Sequence, residues 1–404
     1  SILINSKGNC LNCDIITQNM HMKFKIVLIT LIMCSNTLFA QTIYEEFDSY
    51  KLGEKRGIKI QLPYGYNPED DKKYPVVLVL DGDYLFEPFA GNINYQAYWD
   101  EIPDCIVVGV NQASTRESDF EYSKETYLPS QNGATFFEFI SMELLPYIDT
   151  AYKTSLFRVI AGHDLAANFI NYYILKEQPL FDAYIAISPD FALETPNRLI
   201  TSLSKMERKK PLFYYLATGD GDIGALRTTI LETDSKLKKI PNSKLIYKFD
   251  DFVDSNHYTL VGQAIPSALN EIFRLYKPIS KEEYSDIFLT FSGTTYEYLE
   301  QKYEDIEYYF GIEKTVIEND LRAIVAACNK RNDKESLSKL AKLARKTYPD
   351  SMIGAYYYGI YYEAIGNYKK ALQSYQSGLL LTPSQFIDKD ILLEKIYEIK
   401  EDRF

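Results

Sequence analysis

The stretch from Arg158 to Asn168 holds the residues best able to do chemistry. An apolar run, Val159 to Ala161, meets Gly162, His163 and Asp164, and a helical pattern begins at Leu165. Strand, sharp turn and helix in that order outline a nucleophile elbow, which lifts one side chain clear of the backbone at its apex. Strand and helix nearly touch at such a turn, so small residues are demanded on both sides of the apex. Gly162 and Ala166 meet that demand, and the apex residue is Asp164. A hydroxyl deprotonated by a histidine attacks an acyl carbon and gives an ester that water later hydrolyses. A carboxylate attacking the same carbon gives an anhydride, a poor, high-energy intermediate. Displacement at a saturated carbon suits a carboxylate better.

The elements that must position this turn are legible as patterns. Uninterrupted apolar runs at 75–80, 105–110, 157–161, 184–187, 212–217 and 245–249 read as strands covered on both faces. Helical stretches between them, such as 134–147 and 165–175, imply parallel βαβ units, so the class is α/β with a doubly wound, mostly parallel sheet. Residues 43–62 read as an antiparallel edge hairpin, closed by Pro63, Gly65 and Pro68. This domain is expected over 41–278, ending with a helix at 261–276, and residues 279–315 read as a helical connector.

Over 316–404 the sequence repeats. Pro349 and Pro383 are 34 residues apart, the period of the tetratricopeptide repeat. The second copy carries Gly359, Tyr362, Ala371, Tyr375 and Gly378, with Gly366 and Asn367 at the turn between its helices. The first copy is degenerate, with Val325 where the small turn residue belongs, and 387–399 reads as a capping helix. Such repeats present a groove, so a protein partner is expected there.

The 404 residues carry 44 Lys and Arg against 56 Asp and Glu, a net charge of −12 that repels phosphate backbones, so no nucleic acid partner is expected. Met22, Lys23 and Lys25 followed by an apolar core read as a signal peptide over 22–40, with residues 1–21 upstream of the true start. The chain is then exported, to the periplasm or beyond. The apolar core is too short for a membrane span of roughly 20 residues, and no later run is longer. Export would leave Cys105 and Cys328, expected as two buried thiols, and the Cys10 and Cys13 pair has no second pair to complete a zinc site. No metal, cofactor or phosphate-cradling Gly loop is indicated.

Several stretches carry a resemblance that spans roughly residues 55–276. They are Leu80 to Asp83; Val108 to Asn111 with Arg116; Glu143 to Ile148 with Tyr152; and Phe181 to Tyr184, leading to Ser188 and Pro189. Together with the elbow they resemble the esterase family of α/β hydrolases that includes enterochelin esterase-like and esterase D-like enzymes. The resemblance implies an α/β-hydrolase fold, a small ester-like substrate and a Ser nucleophile. Here that Ser is Asp164, and the two glycines of the family's elbow are Ala166 and Ala167. It places the general base at His257, after the strand at 245–249, and the acid after the strand at 212–217, where Asp220 and Asp222 both stand and Asp222 is preferred. An oxyanion hole would use the backbone N–H of Leu165 and one from the loop after Leu80, assigned to Tyr84. His163 is read as packing beside the turn, and Asp164 and His257 as an ion pair. Two functions follow: an ester hydrolase with a changed nucleophile, or a catalytically inactive fold whose helical repeats recruit a partner.

Overall fold

The computed structural model describes residues 42–403. The leader expected at 22–40, and residues 1–21 before it, lie outside them. From Tyr44 onward the chain forms one compact unit. Eight strands make one sheet in the order β1-β2-β4-β3-β5-β6-β7-β8. They are β1 (Thr42–Ser49), β2 (Glu54–Gln61), β3 (Tyr74–Val79), β4 (Ile106–Val110), β5 (Thr154–His163), β6 (Ala183–Ile187), β7 (Leu212–Gly221) and β8 (Leu245–Asn256). Strands β4, β3, β5, β6, β7 and β8 run parallel, and β2 is antiparallel to β4. β3, β4 and β6 are buried throughout, as their apolar runs require, whereas β8 is the last strand of the sheet and only half-buried over 245–249, so the expectation that both its faces are covered is corrected.

Helices α1 (Gly82–Tyr98), α2 (Arg116–Asp119), α3 (Gln131–Phe139), α4 (Leu145–Ala151), α5 (Leu165–Phe169), α6 (Thr195–Lys205) and α7 (Gly224–Leu237) lie between the strands, and α8 (Leu260–Ile272) follows the last of them. A π-helical turn, Ile140–Leu144, joins α3 to α4. The helix expected at 165–175 divides into α5 and a 3₁₀ segment, Ile170–Tyr173.

The rest is all helical: α9 (Lys281–Thr290), α10 (Thr295–Phe310), α11 (Glu318–Arg331), α12 (Lys334–Thr347), α13 (Met352–Ala364), α14 (Tyr368–Gly378) and α15 (Lys389–Arg403). Val325 lies inside α11 and not at a turn. The first turn is made by Asn332 at φ 54°, whose left-handed backbone Asn tolerates; Gly366 at φ 77° makes the second turn 34 residues later. Asp333 and Asn367 then cap the following helices, each accepting from a backbone N–H three residues on. Gly359 lies against the ring of Tyr375, which explains the small residue there.

The stretch read as a connector belongs to two hydrophobic clusters. Ile306, Phe310 and Ile312 join the cluster under the sheet, while Ile279, Ile287 and Leu299 join that of the helices. Phe310 sits 5.0 Å from Phe157 of β5 and 5.4 Å from Phe273, ring centroid to centroid. The helices are thereby fastened near the start of β5, the end opposite the elbow. Cys105 and Cys328 are buried free thiols. Among the described residues no helix is long and apolar enough to cross a membrane.

Candidate active site

Four side chains converge at the C-terminal ends of parallel strands, the side of a doubly wound sheet where ligands bind. Asp164 follows β5, Ser188 follows β6, Asp222 follows β7 and His257 follows β8. The turn after β5 has the strain expected of an elbow: Asp164 sits at φ 59°, ψ −119°. A Cβ on Gly162 would lie 2.6 Å from the carbonyl carbon of Ala166 and 2.8 Å from the nitrogen of Ala167, so only glycine fits there. Backbone bonds fix the apex. The Asp164 N–H donates to the Ile187 carbonyl at 3.1 Å, and its own carbonyl accepts from Asn168 and Asp190, each at 3.2 Å.

His257 and Asp222 form a tight dyad, Nδ1 to Oδ1 at 2.9 Å. The other carboxylate oxygen of Asp222 accepts from the hydroxyls of Ser188 and Thr218, both at 2.7 Å, and Oδ1 also accepts from the Ile223 N–H at 2.8 Å. Burial works against the Asp222 charge, but the bonds from His257, Thr218, Ser188 and Ile223 outweigh it and hold the carboxyl down at about 2. Asp220 instead accepts from the Ser255 N–H at 3.2 Å, in the turn beside β8. The choice between the two acids left open by the sequence thus falls geometrically on Asp222.

The expected pairing of Asp164 with His257 is present at ion-pair distance, and a closer one with Arg116 competes with it. Nε2 of His257 stands 3.9 Å from Oδ1 of Asp164, too far for a hydrogen bond. Oδ2 of Asp164 accepts from both terminal nitrogens of Arg116, at 3.2 and 3.3 Å. Nε of Arg116 lies 2.9 and 3.0 Å from the two oxygens of Asp81. The guanidinium therefore bridges Asp81, at the mouth of α1, to the elbow. Burial disfavours its charge, but Asp81 first, then Tyr84 and Asp164, raise its pKa above the ordinary arginine value. Arg116 is aimed by α2, which Asp119 anchors through a buried pair with Arg56 and a bond from Gln112 at 3.1 Å. The sequence marked Arg116 as part of a shared stretch and gave it no task.

The oxyanion assignment of Tyr84 is corrected. Its N–H donates to the Asp81 carbonyl at 3.1 Å, because Asp81 at φ 52° starts α1 with a tight turn that consumes that amide. Tyr84 reaches the site through its phenol, 3.0 Å from Oδ2 of Asp81 and 3.2 Å from Nδ1 of His163. Leu165 opens α5, where first-turn N–H groups have no acceptor within the helix. His163 does more than fill space: its Nε2 donates to the His257 carbonyl at 2.9 Å, and the two rings lie 4.4 Å apart.

Burial, then the neighbouring His257, push the pKa of His163 down from 6.5 to about 4. The folded state thus holds His163 neutral where the unfolded chain would protonate it. The sign follows: this contribution is constant above pH 6.5 and is lost as pH falls from 6.5 towards 4. Wild type should lose about 2–3 kcal/mol between neutral pH and about pH 4.5 relative to His163→Gln, which keeps an N–H donor but does not titrate. Urea midpoints of both proteins across that range check it, and parallel curves would refute it.

The family described as "Putative esterase" matches residues 49–211. Ferri-bacillibactin esterase BesA of Bacillus subtilis (strain 168) is 26% identical over 245 residues, covering 54% of this chain and 84% of that protein. The solved structure of an uncharacterised protein from Capnocytophaga ochracea DSM 7271 is 32% identical, with a TM-score of 0.76 over 89% of this chain and 100% of its own. That coverage exceeds the sheet-bearing part, so the likeness extends into the helical region. An IroE-like serine hydrolase from Shewanella oneidensis shares the fold at 20% identity, with a TM-score of 0.58 over 75% of this chain and 98% of its own. Family match, relatives and sheet topology agree: the chain belongs to the esterase-like family of α/β hydrolases.

Proposed function

We propose that this chain is an ester hydrolase by descent which binds a small ester-like molecule in its cleft without carrying it through an acyl-enzyme. The observation that carries the reading is the state of Asp164. Its Oδ2 is held by Arg116 at 3.2 and 3.3 Å, while His257 Nε2 faces Oδ1 at 3.9 Å; the Ser188 hydroxyl lies on the ring's other nitrogen, 3.0 Å from Nδ1. A charge-assisted fork of this kind ties up the lone pairs a nucleophile needs. Acyl attack by the remaining oxygen would give an anhydride that returns the acyl group. The Asp222 bond to Nδ1 still turns the ring so that Nε2 looks at the elbow residue. In this reading the chain is exported through the leader at 22–40, and the tetratricopeptide-like helices from residue 316 onward present a surface to a protein partner.

A second reading, hydrolysis at an altered site, draws on the intact dyad. A water bonded to both His257 Nε2 and Asp164 Oδ1, 3.9 Å apart, would subtend about 90° at ordinary bond lengths, a usable geometry for general-base attack. Assays with p-nitrophenyl esters and haloalkanes separate the two. Wild type and His257→Ala are expected to be equal and at background; wild-type turnover that disappears in His257→Ala would overturn the first reading in favour of the second.

A further inference from the structure

Helix α6 leads away from the cleft, and a trough follows its outer side. Two open cavities, of about 560 and 900 Å³, share Leu175, Thr201 and Ser202 and so adjoin along the helix. Arg198, Ser202 and Lys205 stand at i, i+4 and i+7, which aligns them on one helical face lining the trough. Beyond Lys205 the wall continues through Lys209 and Lys210. The chain as a whole carries −12, so this concentration of cations runs against its overall field and makes the trough a local sink for anions.

Arg198 gives the trough its specific feature. Its Nη1 is buried and has no hydrogen-bond partner among the described residues. A buried donor on a charged group without an acceptor is unfavourable, and a turn of the Arg198 side chain into the trough would let an incoming oxyanion satisfy it. Arg208, also in the wall, is already paired with Asp182 at 2.5 Å and is not available in the same way. The acids lining the trough, Glu177, Glu194 and Glu207, do not pair with Arg198, Lys205 or Lys209 among the described residues.

The geometry points to an oligoanion site separate from the cleft: a short chain of oxyanion groups lies along α6, one group forked by Arg198 and another held near Lys205 and Lys209. From residue 198 to 205 a helix rises about 10 Å, which sets the spacing between the two groups. Phosphate chains and acidic oligosaccharides share this chemistry. Arginine suits the buried end because its planar fork meets an oxyanion with two bonds, whereas the lysines act as point charges in water.

Calorimetric titration of the full chain with sodium tripolyphosphate, and separately with trigalacturonate, tests the proposal. At least one probe should bind, the tighter one identifying the source, and affinity should fall as salt is raised. Arg198→Gln and Lys205→Gln should each weaken binding roughly tenfold, with Arg198→Lys in between because it keeps charge and loses the fork. His257→Ala should bind as wild type does, which separates the trough from the cleft. Unfolding midpoints confirm that each variant is folded, and Lys205→Gln, on the exposed side of α6, decides the matter if Arg198→Gln is not. Neither probe binding at millimolar concentration, or equal affinity in wild type and Lys205→Gln, overturns the proposal.

Discussion

Asp164→Ser is expected to switch on ester hydrolysis, raising p-nitrophenyl acetate turnover by about 100-fold or more over wild type. The backbone already holds residue 164 at the apex in the φ 59° conformation, so the new hydroxyl arrives in a prepared place. His257 offers Nε2 to the elbow residue, and Asp222 fixes the ring from behind at 2.9 Å. The substitution also releases Arg116 from the elbow, since a neutral serine gives the guanidinium no charge to grip. Adding His257→Ala to this variant should remove the gain, because a positioned general base is worth about 10²–10⁴-fold. Asp222→Asn should do nearly as much by turning the imidazole to the wrong tautomer. The increase stops well short of a full triad's because the Tyr84 amide, spent on Asp81, is no oxyanion donor. A folded Asp164→Ser protein no faster than wild type would show that the cleft has lost more than its nucleophile.

Phe310→Ala should cost about 3–5 kcal/mol of stability, the range for deleting a buried aromatic ring. The ring is fully buried and touches Phe157 from β5 and Phe273 from the segment after α8. Phe157 and Phe273 are themselves 5.8 Å apart, so three rings from three elements close on one another. Removing the central one leaves a hole that none of the three backbones can close without disturbing the sheet or α10. Phe310→Leu, which refills much of that volume, should cost less than about 1.5 kcal/mol. Urea unfolding followed by circular dichroism measures both. A loss under about 1 kcal/mol for the alanine variant would mean that the later helices merely lean on the sheet.

What the sequence made legible follows from the range of the interactions involved. Strands buried on both faces announce themselves by composition, and every parallel strand could be placed from its apolar run, although β8 at the sheet edge is only half-buried. The elbow was readable because its geometry demands small residues at fixed offsets, and Gly162 meets the backbone of Ala166 at 2.6 Å just as that demand requires. Arg116 shows the limit. Its partners, Asp81 and Asp164, lie 35 and 48 residues away, and nothing local distinguishes it from a surface arginine. The Tyr84 error has the same origin in reverse: the residue belongs to the site, but the left-handed turn at Asp81 decides which of its atoms is offered. Residues 279–315 looked like a bridge because their apolar positions serve two different clusters, which blurs any single periodicity.

Strand β5 carries Phe157 near its beginning and delivers Asp164 just past its end, about 23 Å further on at the usual rise per residue. The molecule is therefore bipolar. Anything clasped by the C-terminal helices, whether a protein or a solid support, leaves the opposite pole open to solvent, and small molecules can come and go there while the chain is tethered. Strand β5 gives the poles a direct mechanical link, with Phe157 against Phe310 near its start and Asp164 just past its end.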